Sequence, residues 1–362
     1  MHRGAYDHRV TRALILSEHD LAGYEARFAR GEVPSALPYG AEAVRDLGWE
    51  TAGVRLPEGP VATKLRQAAE HRYGGPLARQ VLGVPRAFRS DLVLALLETQ
   101  AGLAGRLERL HVPPYGNRPL VVFSCWLADD VRRADTATRR RLARRFASVD
   151  LLTHMSRHET ATLVELGISE ERLLAVPFGV ADRYYTPGEH ARDIEVLAVG
   201  QDRGRDYATL LDAVRGTDLR LQLVCRPENL VGLQVPENVT VLGPVPLPRY
   251  RELLRRAQVV AVPTHDLSYP TGQSVALEAA STGGCVVVTG TRAMRDYFSE
   301  ATARLLDVGD AAGWRATLLE LREDADARER LGAAARDSVL ADFTCDHMWQ
   351  VVVDRTRALG LT

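Results

Sequence analysis

Short, continuous apolar runs that alternate with helix-period segments constrain this chain more than any other feature. SDLVLALLE (Ser90 to Glu98), PLVVFSCW (Pro119 to Trp126), VVAVP (from Val259) and CVVVTG (from Cys285) show no regular alternation with polar residues. Such strands are buried on both faces, as in parallel sheets covered by helices. Amphipathic segments between them supply the crossovers, so an α/β chain is expected. Its 362 residues exceed the roughly 250–300 at which a single core stops growing, and two domains follow.

In the first half, RALILS (Arg12 to Ser17) reads as a strand, followed by a long polar stretch up to Gly40. A short helix, AEAVRDLG, and a strand, WETAGV, come next. VDLLTHM is a further strand, and Ser156 with Glu159 forms the S-x-x-E capping box of a new helix. His154 and His158 straddle that junction with no third ligand nearby, so no metal site is read there. Between Val131 and Ala147, VRRADTATRRRLARRFA carries seven Arg and one Asp. It reads as one solvated basic helix docked by Leu142 and Phe146. Its charge also suits an acyl carrier or weak contact with an anionic membrane surface. Nucleic acid is disfavoured, because no aromatic residues are interleaved.

VPFGVADRYYTPGEHARD (Val176 to Asp193) has the composition of a linker. The expected domains are residues 1–180, with a helix near 345–362 packing back on them, and residues 181–344. After the linker a second doubly wound alternation runs from IEVLAVG to CVVVTG. No apolar run reaches the roughly 18–20 residues that span a bilayer, and MHRGAYDHRV lacks the apolar core of a leader. Cys125, Cys225, Cys285 and Cys345 are too dispersed for a CxxC site and read as reduced thiols. A cytoplasmic location is the expectation. Lys64 is the only lysine, so any other phosphate-binding cation must be a guanidinium, a planar fork.

Chemistry concentrates in two places. From Val259 to Gly290 the chain reads strand, loop, helix, strand. The loop Thr264 to Gly272 then lies at the carboxyl end of its strand, where ligands bind in open α/β sheets. Thr271 and Gly272 stand at the helix start, where a glycine lets backbone approach a ligand. The N–H groups of Gln273, Ser274 and Val275 would form an anion site suited to a pyrophosphate. Glu278, further along, suits the two hydroxyls of a ribose. In AVGQDRGRDYATLL, Gly200 follows a strand, and Arg203 and Arg205 occupy the turn. Two guanidiniums there suit a departing diphosphate. No G-x-G-x-x-G follows a strand and no G-x-x-x-x-G-K-[ST] exists, which disfavours a Rossmann dehydrogenase and a P-loop NTPase.

Taken in order, SRHETATLVELGI, VPFGV, AVGQDRGRDYATLLDA, NVTVLGPV, YRELLRRAQVVAVP, TGQSVALEAASTGGCVVVT and RERLGAAARDSVLADFT make the chain resemble the retaining family 4 glycosyltransferases (group 1). The second half carries the resemblance, and the first half shares only the layout. The resemblance implies the GT-B fold, two Rossmann-like doubly wound domains facing each other across a cleft. It implies a nucleoside-diphosphate-sugar donor in the second domain and an acceptor in the first. Of the family's E-x7-E pair, Glu278 is the ribose-binding member and Pro270 replaces the other. The phosphate lysine becomes Arg205, and the arginine position holds Gln201, for which Arg203 can substitute. Arg226, Gly243 and Val245 fall where the family surrounds the base, and SCW (Ser124 to Trp126) where a histidine often stands.

For catalysis the resemblance implies that Arg203, Arg205 and the helix terminus take up the leaving-group charge. No metal or other cofactor is then called for. Glu98 is expected to face the cleft and orient an acceptor hydroxyl, with a structural role as the equal alternative. The expected acceptor is a small molecule or a lipid-like or carrier-bound one, with natural-product biosynthesis as one setting. Two alternatives stay open: a sugar-nucleotide epimerase or hydrolase on the same fold, and a non-catalytic partner protein, to which Pro270 and Gln201 point.

Overall fold

The computed structural model describes residues 10–362. Residues 1–9, which hold most of the segment read as lacking a leader, lie outside them. Among the described residues, twelve strands form two sheets, all of whose pairings are parallel. The first contains β1 (Thr11–Leu16), β2 (Trp49–Ala52), β3 (Leu92–Leu96), β4 (Leu120–Phe123), β5 (Leu151–His154) and β6 (Leu173–Ala175), in the order β2-β1-β3-β4-β5-β6. The second contains β7 (Ile194–Val199), β8 (Leu221–Val224), β9 (Val239–Val241), β10 (Ala257–Val262), β11 (Cys285–Thr289) and β12 (Arg304–Leu306), in the order β12-β11-β10-β7-β8-β9. Every residue of β3, β4 and β11 is buried, which is why their sequences run apolar without alternating. The α/β, doubly wound, two-sheet expectation describes this chain.

Helices cover both faces of each sheet. On one face of the first sheet lie α2 (Gly102–Arg109), α3 (Leu127–Arg133) and α4 (Thr136–Phe146), and α1 (Pro60–Tyr73), which buries none of its residues, meets this layer where Arg145 lies over the Tyr73 ring. Of these, α2, α3 and α4 contribute Ala104, Leu127, Val131 and Phe146 to the core on that side. In the second domain, α5 (Gln273–Ser281) follows β10. The last helix, α6 (Cys345–Ala358), packs Met348, Trp349, Val352 and Val353 against the opposite face of the first sheet. No helix among the described residues is long and apolar enough to cross a membrane.

One element differs from the sequence reading. The basic stretch is not one helix. It breaks at Ala134, whose ψ is 141°, and restarts where the Asp135 carboxylate accepts the Thr138 N–H at 2.7 Å. An aspartate at an N-cap relieves the unpaired N–H groups of a helix start, and that local gain outweighs helix continuity here. The capping box at Ser156 and Glu159 forms, but on a short 3-10 turn that leads into the Thr160–Glu165 helix.

Candidate active site

Arg205 is the centre of the site. It leaves β7 through the turn at Gly200, and its guanidinium lies between two glycines. A Cβ on Gly200 would sit 1.9 Å from its Nε, and one on Gly272 would sit 2.1 Å from its Nη1. No other residue type leaves room for the side chain. Arg205 is 9% exposed, and its Nε and Nη1 are buried without a hydrogen-bond acceptor among the described residues. A buried guanidinium left unsatisfied by the protein is poised for an anion.

The helix terminus beside it adds to that charge. Gly272, with φ of +89°, is the N-cap of α5. The first intrahelical bond of α5 runs from Ala276 N–H to Gly272 C=O. The N–H groups of Ser274 and Val275 therefore have no acceptor within the helix. Gln273 was expected to point its N–H at the same place, but that N–H donates to the Pro270 carbonyl at 3.1 Å. Pro270, the residue that departs from the E-x7-E pattern, thus shapes the turn with its carbonyl.

The sequence reading missed Asp202, which ties the two loops together. Its Oδ1 accepts from Tyr269 Oη at 2.7 Å, Thr271 Oγ1 at 2.8 Å and Gly204 N–H at 2.7 Å. Thr271 is therefore a brace of the loop. A bridge between Arg205 and Thr264 and a bond from His265 N–H to Gly204 C=O lock the same pair of segments. An aspartate two residues before a glycine is a turn former, and that was the signal available.

Glu278 lines a cavity of about 440 Å³ between the domains, with His19, Tyr39, Phe178, Leu247 and Ser274. Its Oε2 accepts from Tyr250 Oη at 2.5 Å. Burial raises its pKa to about 7, against the opposing effects of the Tyr250 and Tyr185 hydroxyls and of Arg205. Two aromatic hydroxyls thus hold a carboxyl group that titrates near neutrality. Neither tyrosine was singled out in the sequence.

Other expected residues fall differently. Arg203 is not gathered with Arg205. Its Nη2 reaches across the cleft to Asp129 Oδ2 at 2.6 Å and Asp130 Oδ1 at 3.5 Å. Glu98 does not open onto the cleft. It is 4% exposed, and its carboxylate accepts the N–H groups of Cys125 at 3.1 Å and Trp126 at 2.9 Å. The start of α3 needs those acceptors, so the structural alternative describes Glu98. Arg226 opens a short turn in which Asn229 Oδ1 accepts its N–H. Gly243 (φ +63°) turns the chain after β9, and Val245 packs on the core. From there the chain enters the Leu247–Arg256 helix, whose first residue lines the cavity. His154 is buried, with Nδ1 2.9 Å from the Ser156 carbonyl, and burial lowers its pKa to about 4. Among the described residues, no group of three or more His, Cys, Asp or Glu is placed to hold a metal ion.

Residues 203–354 match the family model described as glycosyl transferase-like. The D-inositol 3-phosphate glycosyltransferase of Nocardia farcinica is 28% identical over an alignment covering 52% of this chain and 48% of that protein. The chain thus spans about half the length of the curated relative it matches. Among solved structures, Anabaena Alr3699/HepE in complex with UDP-glucose superposes with a TM-score of 0.68 at 13% identity, covering 96% of this chain and all of the other. Sucrose-phosphate synthase from Thermosynechococcus elongatus also gives 0.68, at 16% identity, with 97% and 99% covered. These likenesses show the fold, the GT-B arrangement of two Rossmann-like domains.

Proposed function

We propose that this chain is a glycosyltransferase that takes a sugar from a nucleoside-diphosphate donor. The observation that carries the reading is Arg205, a buried guanidinium with two unsatisfied nitrogens, held between Gly200 and Gly272 at the N-terminus of α5. The glycosyl transferase-like match over residues 203–354 and the UDP-glucose complex of a protein with this fold support it.

In this reading the donor diphosphate lies against Arg205 and the Ser274 and Val275 N–H groups, and Glu278 accepts from the ribose hydroxyls. As the glycosidic bond to the β-phosphate breaks, negative charge grows on that phosphate. A preorganised guanidinium and helix terminus stabilise it without rearranging. We extend the reading to transfer with retention. The acceptor approaches on the face the leaving group vacates, and the departing phosphate oxygen takes the acceptor's proton. This chain's own cations carry the charge, so chelation with EDTA should leave the rate unchanged. The acceptor is a small, lipid-like or carrier-bound hydroxyl compound entering from the first domain.

The test is a thermal-shift panel of UDP, GDP, ADP and TDP on the wild type and on Arg205→Ala. One diphosphate should stabilise the wild type. Losing a charge-assisted contact of about 1.5–3 kcal/mol should weaken it about 10- to 100-fold in the variant. Equal binding by both proteins would remove Arg205 from the site. No binding of any diphosphate would favour the non-catalytic alternative, and sugar-nucleotide turnover without an acceptor would favour the epimerase or hydrolase.

A further inference from the structure

The first domain carries a charge that the site does not use. Between residues 60 and 147, 16 Lys and Arg stand against seven Asp and Glu, a net +9, whereas the whole chain is −1. Much of this segment builds the helical layer on the face of the first sheet opposite α6. Elsewhere on the molecule, surface arginines pair with carboxylates: Arg183 with Asp346, Arg256 with Asp193, Arg322 with Asp218. On α4 that pattern stops. Arg139, Arg140, Arg141 and Arg144 are exposed, and none forms an ion pair among the described residues. Arg139 Nε donates to the Val131 carbonyl at 3.1 Å and Arg141 Nη2 to Thr138 Oγ1 at 2.7 Å, with the Asp135 carboxylate near Arg141, so the row keeps an excess of positive charge. That excess costs self-repulsion unless an anionic partner offsets it.

The carboxyl end of α1 meets the carboxyl end of α4. The Arg145 guanidinium lies 5.5 Å from the centre of the Tyr73 ring, joining the end of α1 to α4. Helix α1 buries none of its 14 residues. It exposes Val61 (70%) and Leu65 (68%), one turn apart, beside the exposed Lys64. An apolar pair on a helix flanked by cations suits the boundary between lipid headgroups and acyl chains. The excess of arginine on α4 suits anionic headgroup phosphates. A polynucleotide would meet the charge but offers no apolar phase for Val61 and Leu65.

We propose that α1 and α4 form a docking surface for an anionic lipid membrane, with Val61 and Leu65 entering the headgroup boundary and the arginines of α4 on lipid phosphates. Helix α1 follows the carboxyl end of β2, the edge of the first sheet that faces the cleft. Docking there brings the cleft mouth towards the membrane. The proposal does not depend on the chemistry of the cleft.

The test is co-sedimentation of the full chain with phosphatidylcholine vesicles containing 0, 20 or 40 mol% phosphatidylglycerol, at low and high salt. Partition should rise with phosphatidylglycerol and fall with salt. Each arginine near an anionic surface contributes about fivefold. Arg140→Glu with Arg144→Glu should therefore cost at least about 25-fold, whereas Arg249→Glu with Arg330→Glu, an equal charge change on the second domain, should cost far less. Val61→Asp with Leu65→Asp, at positions too exposed to threaten folding, should also weaken partition. No partition at 40 mol% phosphatidylglycerol, or equal losses in the two arginine pairs, would overturn the proposal. Retention on heparin without vesicle binding would reassign the surface to another polyanion.

Discussion

Arg205 shows how much one side chain demands of its neighbours. Gly200 and Gly272 are both needed to leave its guanidinium space, and Gly272 also holds a φ that costs other residues about 1–2 kcal/mol. Gly272→Ala should therefore lower stability by more than that backbone cost and weaken diphosphate binding, because its Cβ displaces Arg205. Gly216 is a fair control, since its φ is +70° and a Cβ there would meet nothing within 4 Å. Gly216→Ala should lose only the backbone term and keep full nucleotide affinity, read by urea unfolding and titration. At Glu278 the carboxyl ionises near 4.5 when unfolded and near 7 when folded. Folding thus favours its protonated form. That contribution is full below pH 4.5 and is lost as pH rises through 7, about 3 kcal/mol in all. Glu278→Gln should gain on the wild type by about that amount between pH 4.5 and 8, measured as the difference of their unfolding free energies. The glycines, Arg205 and Glu278 were legible because strand, turn and helix punctuate that stretch. Tyr185 and Tyr250, which set the Glu278 environment, lie 93 and 28 residues from it in sequence, and spacing carried no trace of them.

At the scale of elements, strands were the most legible because double burial leaves a continuous apolar signature. Helix starts were less so. The Asp135 cap that divides α3 from α4 is a single acidic residue inside an arginine run, and the periodicity on either side of it is continuous. Glu98 at a strand end resembles a cleft residue, yet the start of α3, 27 and 28 residues on, takes both its oxygens. Glu98→Gln keeps one acceptor and loses the other, leaving a buried N–H unpaired at about 1–3 kcal/mol. Chemical unfolding should show that loss, while diphosphate affinity should stay within twofold, about the scatter of such a comparison. A large fall in affinity with stability intact would return Glu98 to the reaction. Arg203 is a similar case, because its partner Asp129 belongs to the other domain. Only the assembled fold brings residues 74 positions apart within 2.6 Å.

The whole molecule turns on where its two domains join. The chain crosses between them twice, near Gly179 and near Thr344, and the crossings are bonded together. Val180 N–H donates to Phe343 C=O at 2.8 Å, and Cys345 N–H donates to Val180 C=O at 3.0 Å. A Cβ on Gly179 would lie 2.4 Å from the Thr344 oxygen, so only glycine lets the crossings pack so closely. Tyr297 fastens this junction from the second domain. Its hydroxyl donates to the Met155 carbonyl at 2.7 Å and accepts the Phe178 N–H at 2.9 Å. Closer to the cleft, Arg203 with Asp129, Arg132 with Ser268, and Ser156 with Asp296 span the same gap. These are polar contacts, mostly part-buried, which suits a cleft that opens and closes over a substrate. Tyr297→Phe keeps the packing against Phe343 and removes only the hydroxyl. It leaves two backbone groups at the junction without partners, at about 1–3 kcal/mol. The expected outcome is a domain-separation distribution, measured by small-angle scattering, that broadens without nucleotide and narrows again with a saturating diphosphate. Unchanged scattering in the free variant would mean that the paired crossings alone set the domain angle.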